Sequence, residues 1–195
     1  MSTQMKLHQT TKILLLGANI WYFGEGMLGP LFAIFTEKVG GDILDITWAW
    51  STYLVCTGVF YIIIGKLVNR KAYKIQILVL GYSLNALFTF CYLFVSNPLQ
   101  LFLVQVGLGI AEAIGSPIWD SLYAKSITED HDTYAWGLST GQSQIVTGVA
   151  FAIGGALTEI FSFNVLFIVM GIIQIIAAIT TSRLLFVKKS EEGEH

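Results

Sequence analysis

Two apolar runs, Thr47 to Ile64 and Ile75 to Val95, flank a short basic segment, Gly65-Lys66-Leu67-Val68-Asn69-Arg70-Lys71-Ala72-Tyr73-Lys74. At about 1.5 Å per helical residue, each run crosses a hydrocarbon layer of roughly 30 Å. Four cations in the ten residues between them cannot enter lipid cheaply. They stay on the side that keeps positive loops, and this placement orients the rest of the chain. A chain that is 54% hydrophobic and only 12% charged is too apolar for a soluble domain and spends nearly all its length in spanning segments.

Taken in order, the residues predict an all-α membrane protein of six transmembrane helices. A polar cytoplasmic N-terminus, residues 1–11, leads into a six-helix bundle over 12–187, followed by a cytoplasmic tail, 188–195, whose end from Ser190 is expected to be disordered. No small-residue cleavage site follows the first apolar run, which reads as a retained helix and not a signal peptide. This first span runs from about Lys12 to Phe35, with Asn19, Tyr22, Glu25, Gly26 and Gly29 on one inward face. A turn-rich acidic loop, Thr36 to Ile46, precedes the second span, Thr47 to Leu67, which starts under Trp48 and Trp50 at headgroup level. The third span, Ile75 to Val95, ends at Ser96-Asn97-Pro98, a connection short enough to imply an antiparallel neighbour.

The fourth span, Leu99 to Ala124, carries Gln105, Gly109, Glu112, Ser116 and Asp120 at three- and four-residue steps, a second polar stripe, and Pro117 is expected to bend it. After the mixed-charge loop Lys125 to Thr133 comes the fifth span, Tyr134 to Ile160, whose Gly137, Gly141, Gly148, Ala152 and Ala156 form a strip that admits another helix closely. The sixth, Phe163 to Val187, is almost wholly apolar and is expected to face lipid. With this assignment Lys6, Lys12, Lys66, Arg70, Lys71, Lys74, Lys125, Arg183, Lys188 and Lys189 share one side and only Lys38 lies on the other. Both termini are therefore expected in the cytoplasm, in a plasma membrane of the bacterial inner-membrane type, and a bias so lopsided argues against insertion in both orientations.

A carboxylate near mid-bilayer costs roughly 3 kcal/mol on insertion scales, so Glu25 and Glu112 must be compensated or used. Two readings meet that cost. In one they bind a proton, a coupling cation or a cationic substrate; in the other each is a protonated acid hydrogen-bonded to a neighbouring helix. Asn19, Tyr22, Gln105 and Gln142 join them as candidates for the binding site, although amides also serve as interhelical glue. Trp21, Tyr22, Tyr53 and Tyr61 suit an organic or cationic molecule, or simple packing.

Other chemistries are poorly supported. Gly137-Leu138-Ser139-Thr140-Gly141 spells G-x-S-x-G but follows no strand, and His8, His131 and His195 all lie outside the spans, so no serine–histidine pair forms at membrane depth. Cys56 and Cys91 sit in apolar runs as packing residues. Neither a metal site, a cofactor site, a nucleotide loop nor a nucleic-acid surface is indicated, and no enzyme activity is expected.

The segment Gly65 to Lys74 resembles the loop between the second and third helices of major facilitator superfamily transporters, G-x-x-x-D-[RK]-x-G-[RK]-[RK]. Gly65, Arg70 and Lys74 match it, while Asn69 replaces the acid, Ala72 the second glycine and Tyr73 one cation. Gly107-Leu108-Gly109 with Ser116-Pro117 is similar to the family's fourth helix and Gly148 to Gly155 to its glycine-rich fifth, but Leu103 stands where an arginine is common. The resemblance implies one six-helix half of a twelve-helix fold: a secondary transporter of a small solute, working by alternating access as a parallel homodimer, coupled to protons or another cation. It implies first and fourth spans lining a central cavity, second and fifth at the contact, third and sixth outside, and a cytoplasmic gate of Gly65, Asn69, Arg70, Lys74 and Asp120, with Arg70 latching to Asp120. A non-transporting membrane subunit that binds a protein through the fifth span, or half of a hetero-dimeric transporter, are the competing expectations.

Overall fold

The structure, a computed structural model, describes residues 8–69 and 73–187. Among the described residues seven α-helices form: α1 (Gln9–Gly26), α2 (Leu31–Lys38), α3 (Ile43–Val68), α4 (Lys74–Cys91), α5 (Pro98–Ser126), α6 (Asp132–Ile160) and α7 (Phe163–Ser182). Five of them, α3 to α7, are long and apolar enough to cross a membrane. Arg70, assigned above to a latch, and the tail from Lys188 lie outside the described residues.

The first span is not the unbroken helix that its apolar run predicts. It stops at Gly26, turns through Met27 to Pro30, and resumes as α2. Pro30 has no N–H to donate, and its ring would meet the carbonyl four residues back in a continuous helix. The turn satisfies itself instead through Met27 N–H to Gly24 O and Leu28 N–H to Glu25 O, both 3.4 Å. The acidic loop is also shorter than expected. Asp42 accepts from the N–H groups of Leu44 and Asp45 while the Asp45 side chain accepts from Asp42 N–H, a capping box that starts α3 four residues before Thr47.

Packing orders the helices in a row, α3 against α5, α5 against α4, α4 against α7, α7 against α1 and α1 against α6. Without a hydrophobic drive between helices in lipid, close backbone approach and dispersion must hold such a row. At Gly81 a side chain would come within 2.8 Å of Gly115 N and 3.0 Å of Ala111 O, so α4 and α5 touch through bare backbone. Gly154 of α6 likewise meets the carbonyl of Met27, in the turn that Pro30 enforces. Aromatic rings fasten α2: Phe35 stands edge-on to Phe167 at 4.8 Å, and Tyr92 stacks on Phe167 at 4.9 Å.

One expectation about faces is corrected. The sixth span, expected to face lipid, has 50% of its apolar stretch buried as α7: Leu166, Phe167, Met170 and Gln174 point inward while Ile172, Ile175 and Ile179 stay outside. Apolar on every side, it gives the sequence no facial signal. The fifth-span strip is exposed, with nothing within 4 Å of a side chain built at Gly137, Gly141 or Gly148; α1 is instead met by Ala150 and Gly154. Only 6% of the apolar stretch of α3 and 11% of that of α6 is buried, against 56% in α5, so the two ends of the row are the least covered helices.

Candidate functional site

A cavity of about 450 Å³ opens among α1, α3, α5 and α6, capped by the α1–α2 turn. Glu25 and Tyr22 enter it from α1, Gln105 and Glu112 from α5, and Trp50 and Tyr53 from α3. Placement follows from helical period: Tyr22 and Glu25, three residues apart, share a face, and so do Gln105 and Glu112, seven apart. A smaller pocket of about 70 Å³ shares Trp21, Tyr22 and Glu112 with the first and runs on to Ser116 and Asp120. The polar stripes expected on the first and fourth spans thus meet in one continuous groove.

Glu25 occupies the last turn of α1, where the helix presents carbonyls and offers a carboxylate no donor of its own. Its donors come from elsewhere. Asn85 Nδ2 of α4 donates to Glu25 Oε1 at 2.7 Å, and Gln174 Nε2 of α7 donates to the same oxygen at 3.1 Å while also reaching Trp21 O at 3.2 Å. The third and sixth spans, expected outside, therefore supply the donors to Glu25. Asn85 and Gln174 went unnoticed in the sequence, although each is the lone amide in its apolar helix middle and is almost wholly buried. Gln174 Oε1 is buried with no hydrogen-bond partner, so this amide is only half satisfied.

Glu112 accepts from the hydroxyl of Tyr53, and about two turns further along α5 Asp120 accepts from the hydroxyl of Tyr61; both tyrosines belong to α3. Their spacing of eight matches that of the two acids, which locks α3 to α5 in register along the groove. Asn19 and Gln142 take no part in the cavities: Asn19 Nδ2 donates to Gln142 Oε1 at 3.0 Å and joins α1 to α6. At the end of α3, Gly65, Asn69 and Lys74 border a shallow pocket with Pro117 and Ser121, where Lys74 Nζ donates to Ser121 Oγ at 3.2 Å. A side chain at Gly65 would meet nothing within 4 Å, so the close contact that glycine suggests is not made within this chain.

A sequence profile of the Major Facilitator Superfamily matches residues 14–195. The chain belongs to that superfamily. Among its curated relatives, an uncharacterized MFS-type transporter of Methanocaldococcus jannaschii is 25% identical over 89% of this chain and 45% of its own length. A probable L-galactonate transporter of Escherichia coli is 28% identical over 91% of this chain and 40% of its own. The chain spans about half the length of the curated relatives it matches. As a member of that superfamily with five helices long and apolar enough to cross a bilayer, it is a multi-pass membrane protein.

Proposed function

We propose that this chain is one half of a secondary active transporter, a six-span unit in which α1 and α2 together form the first crossing. Two copies stand parallel in a plasma membrane, termini in the cytoplasm, and enclose the groove between them. Rocking of the halves exposes it alternately to each side, and protons on Glu25 or Glu112 couple the cycle. The observation that carries this reading is the groove itself: costly carboxylates line a face that α3 and α6 border but do not close. A scaffold has no use for acids placed there.

The same two helices offer the contact. Ser51, Gly58 and Gly65 recur every seven residues on α3, as do Gly141, Gly148 and Gly155 on α6, and at all five glycines a side chain would meet nothing within 4 Å. Such stripes suit helix pairing between halves. The half-length match to the relatives supports a second reading of the partner, in which a different half completes the transporter.

Native mass of the purified chain in lipid discs separates these: near twice 21.5 kDa supports the homodimer, and a monomer with no uptake removes it. In liposomes under a pH gradient, Glu25→Gln and Glu112→Gln are expected to abolish accumulation. If both variants still concentrate solute, neither carries the proton. At the cytoplasmic end Asp120→Asn is expected to deregulate transport without blocking insertion, and unchanged kinetics would remove the latch.

A further inference from the structure

The cavity has a chemical signature that narrows its cargo, on the reading that the protein is a transporter. Seven of its sixteen lining residues are aromatic, two are carboxylic acids, and none is lysine, arginine or histidine. The smaller pocket adds Asp120 and again no basic side chain. We propose that the cargo is an organic cation, a protonated amine or quaternary ammonium on an apolar body, with Glu112 as its counter-ion.

Three observations place the charge at Glu112. Tyr53 fixes one of its oxygens by a hydroxyl hydrogen bond, and the other has no protein donor among the described residues. The ring of Tyr53 stands edge-on to Trp50 at 5.6 Å, and Trp50 stands edge-on to Phe32 at 5.5 Å, so ring faces in different orientations line the wall beside the carboxylate. Trp21 and Tyr22, in a further edge-on pair at 5.0 Å, line both pockets together with Glu112. Ring faces carry negative potential and attract a cation most strongly where water is excluded, while their area suits an apolar body. Glu25 is engaged differently, its Oε1 filled by two amide donors from α4 and α7, which leaves it to the proton.

An anionic cargo meets the opposite fit. It would face two carboxylates in a medium that screens poorly, with no cationic partner among the described lining residues. A two-fold partner does not repair this, because it brings the same groups. Sugar acids such as the one in the name of the Escherichia coli relative are therefore assigned as poor cargo for this cavity.

The test uses the full chain in lipid discs, titrated with benzyltrimethylammonium and with galactonate by tryptophan fluorescence, and then in liposomes for counterflow of each. Saturable binding of the cation is expected, weakened about tenfold or more by Glu112→Gln and by Trp50→Ala, with galactonate failing to compete. Glu112→Asp, which keeps the charge, should restore most of the binding and guards against a folding defect in the amide variant. Cation affinity unchanged in Glu112→Gln overturns the assignment. Counterflow of galactonate but not of the cation also overturns it, while leaving the transporter reading standing; counterflow of neither removes both.

Discussion

At the scale of single residues, the site is built from acids that borrow donors across helix boundaries. Removing Asn85 leaves Glu25 with one amide donor instead of two. Asn85→Leu is expected to cost about 1–3 kcal/mol, read as a lower midpoint of thermal unfolding in lipid discs. Gln174→Met should cost less, because it also removes the buried oxygen that has no partner. Equal losses for the two variants would show that the half-satisfied amide is not what the structure describes. Tyr53→Phe is expected to keep the fold and lower transport, since only the orientation of Glu112 is lost; the readout is uptake rate at matched protein density.

At the scale of elements, close backbone approach decides which substitutions matter. Gly154 faces the Met27 carbonyl, so Gly154→Leu must push α6 off the α1–α2 turn and is expected to destabilise by about 3 kcal/mol or more, with little folded protein recovered. Gly148, on the same helix and also a glycine, faces nothing in this chain. Gly148→Leu should leave unfolding of an isolated half unchanged and weaken association instead, as seen by native mass at graded protein-to-detergent ratios. If both glycines respond alike, the division of α6 into an inner and an outer face is wrong. Pro30 belongs to this scale as well: it ends α1 early, and the resulting turn provides the carbonyl that Gly154 accommodates.

At the scale of the whole molecule, the row of helices leaves α3 and α6 as uncovered edges with the groove between them. On the proposed pairing, a groove lined with carboxylates and bordered by two such edges is half of an enclosure. Replacing both Gly58 and Gly148 by tryptophan is therefore expected to convert a dimer to a monomer and to abolish uptake while the helical content by circular dichroism is kept. A variant that still dimerises and transports would exclude these edges as the contact.

The sequence by itself determined the class of protein, the approximate places of the helices from the second span onward and which acids share a polar stripe, because hydrophobic run length and helical period are local properties. Glu25, Glu112 and Gln105 were legible as stripe residues, and the cavity collects them. Local pattern had no way to show what the acids bond to. Asn85 and Gln174 lie on helices with no polar periodicity, and Tyr53 and Tyr61 read as membrane aromatics until α3 is laid against α5. Tertiary structure also decided which glycines of α6 touch a neighbour, since all of them share one sequence signal and only the crossing with α1 tells them apart. Which helix abuts which depends on contacts between residues far apart in the chain, and a single span's hydropathy carries no record of its neighbour.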